Sequence, residues 1–213
     1  MILEKLTVSP LLENCYIVGD ASTMQGLVID PGDEAERIAA AIKRLGLTVA
    51  KIVNTHGHVD HVGAVASLKG ILGAKFYLHP AEKMHLERLP QTAAAFGIKD
   101  AGVPEVDVDL ADGDTILVGE LAMRVVHTPG HTPGHCILVF DEHAFCGDLI
   151  FAGSIGRTDF PGGDYPTIVD SLEKAILTLP DPTHLYPGHG PATTVAIEKQ
   201  YNPFLRGLHP RPR

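Results

Sequence analysis

The chain has 213 residues, of which 45% are hydrophobic, so it can bury the core of one large domain or two small ones. Its formal net charge of −9, with histidine counted as neutral, argues against nucleic acid and anionic membrane surfaces as partners. No apolar run approaches about 18 residues, so no membrane span is expected. The three cysteines are odd in number and widely spaced, so a disulfide framework is not expected and a reducing, cytoplasmic location is favoured.

The first third of the chain is predicted to alternate strands with helices. Asp33 is expected to cap a helix that ends near residue 45, where Gly46 stops it. Asp30 ends a strand beside a Pro-Gly turn, so it either lines a site or orients a ligand there, or it is a turn-forming or capping residue. The predicted strands cover residues 2–8, 15–18, 25–30, 49–54 and 75–79, and a second helix covers 62–68.

The strand over residues 49–54 leads into Thr-His-Gly-His-Val-Asp-His, which places His56, His58, Asp60 and His61 in a turn before a helix. Open α/β sheets carry their sites at such strand ends. Neutral imidazole nitrogens suit Zn, Fe, Mn or Ni, and an aspartate adds an oxygen ligand. We interpret the cluster as metal ligands; a solvated, histidine-rich loop is the alternative.

A loosely patterned stretch follows from residue 80 to 104, with helical pieces around 82–87 and 93–96. Because a long excursion of this kind is often a lid or a wall of a site, residues 81–103 are expected to control access. His79 and His85 have no companion ligands in the sequence, so we interpret them as surface or core residues.

The second half returns to short strands. Hairpin connections are predicted at 112–114 and 118–120. Strand, helix and candidate cluster occur once in each half, which suggests two related β/α halves that face each other. The predicted strands cover residues 106–110, 115–118, 121–127, 136–140, 143–146 and 185–186, and the helices cover 165–177 and 194–200.

Three further candidate ligands stand at predicted strand ends in this half. His131 lies in Thr-Pro-Gly-His-Thr-Pro-Gly-His, where Pro-Gly pairs fix tight turns. Asp148 follows Cys-Gly at the end of a strand, and His189 lies in Pro-Gly-His-Gly-Pro. Taken with the first cluster, these side chains predict a dinuclear metal site with an open position for water. One metal would be held by His56, His58 and His131, the other by Asp60, His61 and His189, with Asp148 as the bridge.

These four motifs, in this order and at these separations, resemble the metallo-β-lactamase fold superfamily from residue 12 to about residue 204. The resemblance implies an α/β fold, an αββα sandwich of two mixed β-sheets flanked by helices, as a single domain over residues 1–213. It places the metals at one edge of the two sheets. It also gives metal-ligand roles to His56, His58, Asp60, His61, His131, Asp148 and His189.

Within the superfamily the chain resembles the small glyoxalase II-like hydrolases, also called hydroxyacylglutathione hydrolase-like. The resemblance rests on residues 156–164 and on the ending from Pro187 to Phe204. It implies a small-molecule thioester such as S-lactoylglutathione as substrate and a metal-bridging hydroxide as nucleophile. Two divalent metal ions are implied, zinc first, with iron or manganese as alternatives. Asp60 would then have a catalytic role, because it would orient the nucleophile while holding the second metal.

Two departures from that family keep other readings open. Full-length hydroxyacylglutathione hydrolases carry a C-terminal helical domain with basic residues for the glutathione carboxylates. This chain ends soon after its last predicted helix, so no glutathione-binding residue is assigned. The Gly-Arg-Thr-Asp-Phe segment is also similar to persulfide dioxygenases, in which His56, His131 and Asp148 would hold a single iron. A metal-bound binding module without chemistry of its own is a third hypothesis.

Arg157 stands in this glycine-bracketed segment, close in sequence to Asp148. Its guanidinium would suit a substrate carboxylate. The favoured interpretation is a structural ion pair with Asp159 or Asp164.

Overall fold

The structure is a computed structural model that describes residues 1–98 and 101–212. Its first sheet has six strands in chain order. The first three pair antiparallel and the remaining strands add in parallel, which makes the sheet mixed. The strands are β1 (Ile2–Val8), β2 (Glu13–Gly19), β3 (Gln25–Ile29), β4 (Thr48–Val53), β5 (Lys75–Leu78) and β6 (Val108–Asp109).

The second sheet is also six-stranded and mixed, in the order β14-β13-β10-β9-β8-β7. Its only parallel pair is β10 with β13 among the described residues. The strands are β7 (Thr115–Val118), β8 (Leu121–His127), β9 (Cys136–Phe140), β10 (His143–Gly147), β13 (His184–Pro187) and β14 (Thr193–Thr194). A separate two-stranded ribbon joins β11 (Ile150–Phe151) to β12 (Ser154–Ile155).

The helices are α1 (Ala35–Leu45), α2 (Val59–Val62), α3 (Val65–Leu72), α4 (Lys83–Glu87), α5 (Leu89–Phe96), α6 (Tyr165–Ser171) and α7 (Val195–Tyr201). The first five helices connect strands of the first sheet, α6 leads from the ribbon to β13 of the second sheet, and α7 follows β14. A π-helical turn over Leu172–Ile176 extends α6, and 3-10 turns cover Pro80–Glu82 and Pro203–Leu205. None of the helices within the described ranges has the length and hydrophobicity to cross a membrane.

Three apolar clusters build the layers. The middle one joins residues of both sheets, such as Ile29 and Val53 of the first and Met123 and Phe145 of the second. A second cluster packs α1 and α3 on the other face of the first sheet. A third packs α6 and its π-helical extension on the other face of the second sheet. These layers confirm the predicted αββα sandwich of two mixed sheets flanked by helices.

Several predicted details are wrong. Asp33 is not the cap of α1: Glu34 occupies that position in a left-handed conformation, and Asp33 instead accepts the Glu34 N–H at 2.7 Å. Only Val108–Asp109 pair in the predicted strand 106–110. The connection 112–114 is not a hairpin, because it leads from β6 in the first sheet to β7 in the second. The other predicted hairpin, around Gly119 and Glu120, is confirmed by the pairing of Val118 with Leu121.

Candidate metal centre

All seven predicted ligand side chains converge at one edge of the sandwich. His56 to His61 follow β4, His131 lies in the connection from β8 to β9, Asp148 follows β10 and His189 follows β13. The parallel pairing of β10 with β13 aligns the ends of these two strands, which brings Asp148 near His189. The site is therefore assembled from both sheets.

The first group of ligand atoms consists of three imidazole nitrogens. Nε2 of His56 lies 3.1 Å from Nδ1 of His58, and Nε2 of His131 lies 3.0 Å from the same atom. His56 and His131 are buried, whereas His58 is partly exposed. These three nitrogens thus point at one another from two loops.

The second group contains Asp60, His61 and His189, whose ligand atoms also lie within 4.8 Å of one another. Nε2 of His189 lies 3.2 Å from a carboxylate oxygen of Asp60. His61 is fully buried, while the other two side chains keep contact with solvent.

Asp148 lies between the two groups. One of its oxygens, Oδ1, is 3.4 Å from Nε2 of His61. The other, Oδ2, is 3.6 Å from Nε2 of His131 and 3.7 Å from Nε2 of His189. A single carboxylate thereby faces both groups, as the bridging assignment requires.

The polar atoms of this cluster fit a divalent cation. Nε2 of His61 and Oδ1 of Asp148 are buried and have no hydrogen-bond partner among the residues that the structure describes, a state that is costly without a further ligand. Imidazole nitrogen and carboxylate oxygen are the donor types that Zn, Fe and Mn accept. The residues present therefore suit the two-metal centre that the sequence predicts.

Burial sets the protonation of the first group. It lowers the pKa of His56 well below its ordinary value, lowers that of His58 to about 3, and lowers that of His131. Neighbouring imidazoles add to the effect for His56 and His58. All three rings are therefore neutral near pH 7 and offer a lone pair.

The second group is polarised by its carboxylates. Burial opposes the charge on His61, but Asp148 and Asp30 overcome it and raise the pKa of that ring well above its ordinary value. The pKa of Asp148 is lowered: burial works against this, but His61, His131 and His189 outweigh it. A cation bound here would take the place of the proton that these carboxylates favour on His61.

The buried carboxylate of Asp30 contacts Thr55 and the predicted ligand His61. One of its oxygens accepts the backbone N–H of Thr55 at 2.7 Å. The other accepts the Thr55 hydroxyl at 2.7 Å and faces Nδ1 of His61 at 3.0 Å. Asp30, His56 and His61 also form a compact donor group. Since both Asp30 oxygens are already engaged by Thr55 and His61, these contacts favour the interpretation that Asp30 orients His61.

Sequence reasoning gave no role to two buried side chains that hold the ligand loops. The carboxylate of Glu82 accepts the N–H of Gly57 at 2.7 Å and that of Gly134 at 2.6 Å. His135 receives the N–H of Asp148 on Nε2 at 3.2 Å, and its Nδ1 lies 2.9 Å from the Thr128 hydroxyl. The repeated Thr-Pro-Gly-His motif was a signal for His135. Nothing local in the sequence marked Glu82.

Close backbone approach explains the glycine at position 188. A Cβ there would lie 2.3 Å from Oδ1 of Asp148 and 2.6 Å from Cε1 of His61. The Pro-Gly-His-Gly-Pro motif thus lets the chain pass directly over the cluster.

A cavity of about 500 Å³ opens onto the ligand groups. His85 contributes to its wall, with its ring 4.8 Å from that of His58, so this half-buried residue, predicted as a surface or core residue, borders the candidate site. Burial lowers the pKa of His85 to about 4, which leaves the ring neutral. The expected control of access by 81–103 is supported by Arg88, Thr92 and Phe96, which also line the cavity. Lys99 and Asp100 of that segment lie outside the described residues.

Arg157 forms the predicted ion pair. Its Nε and one terminal nitrogen each donate to an Asp159 carboxylate oxygen at 2.7 Å, and the guanidinium carbon lies 3.6 Å from the centre of the Phe160 ring. The backbone carbonyl of Arg157 faces Nδ1 of His131 at 2.8 Å. This residue therefore supports a predicted ligand through its main chain.

Comparison with known proteins places this geometry in a family. The family model of the Metallo-beta-lactamase superfamily matches residues 8–189. The chain is 39% identical over 216 residues to the hydroxyacylglutathione hydrolase GloC of Haemophilus influenzae, covering 96% of this chain and 98% of that protein. It is 34% identical over 197 residues to the human mitochondrial persulfide dioxygenase ETHE1, covering 89% of this chain and 70% of that protein.

Two solved structures have similar folds. A crystal structure of TTHA1623 in a di-iron-bound form superposes with a TM-score of 0.86 at 40% identity, over 95% of this chain and 100% of that one. The crystal structure of the BLEG-1 B3 metallo-beta-lactamase gives a TM-score of 0.89 at 33% identity, over 97% and 100%. Relatives with this fold thus differ in the chemistry that their names state.

Proposed function

The chain belongs to the metallo-beta-lactamase superfamily, and from this we propose that it is a dinuclear, metal-dependent hydrolase of acyl thioesters such as S-lactoylglutathione. The observation that carries the proposal is the position of Asp148, whose two oxygens face two separate groups of ligand atoms. We further propose a small-molecule substrate and a cytoplasmic location, the latter because all three cysteines are buried thiols.

The residues would divide the work as follows. His56, His58 and His131 would hold one divalent ion, Asp60, His61 and His189 the other, and Asp148 would contact both. Zinc, or alternatively iron or manganese, would lower the pKa of a bound water and stabilise negative charge on the thioester carbonyl oxygen.

Asp60 has a further role in this proposal. Burial disfavours its charge, but the hydrogen bond from His189 and the nearby charges of His61 and His189 together outweigh that effect and lower its pKa, so the carboxylate is ionised. It also borders the cavity. From there it can accept a hydrogen bond from the attacking water and fix the direction of attack.

The cavity wall supports a thioester substrate. Leu11, Val59, Phe96 and Phe160 supply apolar surface beside the ligand groups. Such surface binds an acyl chain or the methylene groups next to sulfur and excludes water around the scissile bond. The resemblance to GloC of Haemophilus influenzae, a hydroxyacylglutathione hydrolase by name, supports the same substrate class.

The second candidate is persulfide dioxygenation with one iron. It is favoured by the 34% identity to human ETHE1 and by the Gly-Arg-Thr-Asp-Phe segment, and it would use His56, His131 and Asp148. It leaves Asp60, His61 and His189 without a ligand role, which weighs in favour of the hydrolase.

A parallel assay separates the two functions. Thiol release from S-lactoylglutathione is followed beside oxygen uptake with glutathione persulfide, before and after chelation and metal return, with a β-lactam as a third substrate. The hydrolase proposal predicts thiol release that chelator abolishes and metal restores, with no oxygen uptake. Oxygen uptake without thiol release would replace it with the dioxygenase, and full hydrolysis in metal-free protein would remove the metal-based account.

A further inference from the structure

One arginine on the cavity wall has no side-chain partner among the described residues. Arg88 connects α4 to α5 and lines the cavity together with Thr92 and Phe96, which follow at intervals of four residues. Within the described part of the chain, no carboxylate lies within 4.0 Å of its guanidinium, which also donates no hydrogen bond. The group is exposed and charged. The N–H groups of the Arg88 guanidinium can therefore bind a ligand in the cavity.

The other cavity arginine differs in this respect. In Arg157, Nε and one terminal nitrogen both donate to the Asp159 carboxylate, and the guanidinium stacks on the Phe160 ring. Of the two arginines that line the cavity, only Arg88 can thus offer an uncompensated positive charge to a substrate.

Arg88 lies close to the proposed reaction centre. The ring of His85 is 4.8 Å from the ring of His58, and the Arg88 N–H donates to the His85 carbonyl at 3.2 Å. Three residues, about 4.5 Å of helical rise, thus separate a residue whose ring lies near a predicted metal ligand from the arginine. A group several bonds away from a scissile carbonyl can reach that position.

The net negative charge of the chain contrasts with the local positive charge of Arg88. With a net charge of −9, the protein repels anions at long range. An unpaired guanidinium beside the site offsets this locally, and its planar fork matches a carboxylate with two parallel hydrogen bonds. The cavity, about 500 Å³, is also in the size range of sites for small ligands, roughly 300–1,000 Å³.

We propose that Arg88 binds a carboxylate on the thiol half of the substrate, so that the enzyme selects acyl thioesters of an anionic peptide thiol over those of neutral thiols. The inference rests on the proposed function, since it names the part of the thioester that is recognised. The group that Arg88 binds is proposed to be a carboxylate. The alternative is a phosphate on the thiol half of the substrate.

The test compares one acyl group on three thiols: glutathione with two carboxylates, N-acetylcysteamine with no charge, and coenzyme A with phosphates. Arg88→Gln and Arg88→Lys are measured beside Arg206→Gln. The control changes net charge equally at an exposed arginine outside the cavity. Thermal unfolding verifies that each variant is folded.

For Arg88→Gln we expect kcat/KM with the glutathione thioester to fall about tenfold or more, mainly through KM, while the neutral thioester changes less than about twofold. With the glutathione thioester, kcat/KM of Arg88→Lys should lie between the values of the parent chain and Arg88→Gln. Lysine keeps the positive charge but lacks the planar guanidinium that makes two parallel hydrogen bonds. Arg206→Gln should match the parent chain. An equal loss on charged and neutral thioesters, or no loss on either, would overturn the proposal. A coenzyme A thioester preferred in an Arg88-dependent manner would overturn the assignment to a carboxylate.

A binding measurement keeps the inference separate from the proposed reaction. Calorimetry with S-hexylglutathione, a thioether that cannot be hydrolysed, should show about tenfold weaker binding to Arg88→Gln than to the parent or to Arg206→Gln. If no thioester is cleaved but this difference is present, the proposed function fails and the recognition role stands. If thioesters are cleaved and binding is unchanged, the recognition role fails alone.

Discussion

The carboxylate of Asp30 lies 3.0 Å from Nδ1 of His61, in the loop behind the ligand groups. This contact leaves Nε2 of His61 directed at Asp148. A residue that fixes a metal-ligating imidazole in this way tunes metal affinity without touching the metal.

Asp30→Asn should therefore lower the affinity for the bound metal by about 10- to 100-fold, measured by competition with a chelator. The variant should stay folded, because Asn tolerates the left-handed conformation of residue 30, with a φ of 50°. Asp181→Asn removes the same charge at an exposed position paired with Lys199 and serves as the control. Unchanged affinity in Asp30→Asn would show that the contact does not position His61.

Asp148→Asn tests the proposed bridge. The substitution keeps the size of the side chain and removes the charge that faces His61, His131 and His189. The metal content should drop to about one ion or fewer per chain, because two cations would then repel each other without compensation. We expect kcat to fall by at least about 100-fold while the fold is retained. Two ions with near-normal turnover would remove Asp148 as the bridge, and an unfolded variant would indicate a structural role.

Glu82 should be a stability determinant of both ligand loops. Its carboxylate is buried and accepts the N–H groups of Gly57 and Gly134. Glu82→Ala leaves two buried donors unpaired, at a cost of about 1–3 kcal/mol for each in the free energy of unfolding. Glu82→Gln keeps an acceptor and should lose less. Urea denaturation, with Glu87→Ala at an exposed position of α4 as the control, measures the order. Equal stability of Glu82→Ala and Glu87→Ala would contradict this role.

Gly130 should be intolerant of any side chain for two separable reasons. Its φ is +127°, and a Cβ would lie 2.2 Å from the backbone nitrogen of Ile168 in α6. Gly153→Ala at a φ of +74° meets no neighbouring atom, so it measures backbone strain alone. Gly130→Ala should lower the free energy of unfolding by at least about 2 kcal/mol more than Gly153→Ala. Equal losses would mean that α6 moves away without cost.

The sequence predicted the fold well because its strands carry clear alternation and its motifs stand at strand ends. The strands at residues 2–8, 115–118 and 121–127 have the predicted bounds. Residues 106–110 alternate equally well, yet only two of them pair, because the chain crosses to the second sheet there. Alternation reports a strand-like segment and does not report which sheet accepts it.

The ligand candidates were visible because glycine and proline surround each of them, as at His131 and His189. Glu82, His85 and Arg88 were not, because their importance arises only when α4 and α5 fold against the site. Helical spacing gives no indication of which cavity a helix face will border. Supporting residues of this kind are a property of tertiary contact.

Stepwise addition of Zn²⁺ to metal-free protein, with thiol release from S-lactoylglutathione measured at each step, tests the dinuclear hydrolase most directly. We expect no turnover in metal-free protein and full turnover only when about two equivalents per chain are bound. Full turnover at one equivalent, or turnover that does not depend on metal, would contradict it.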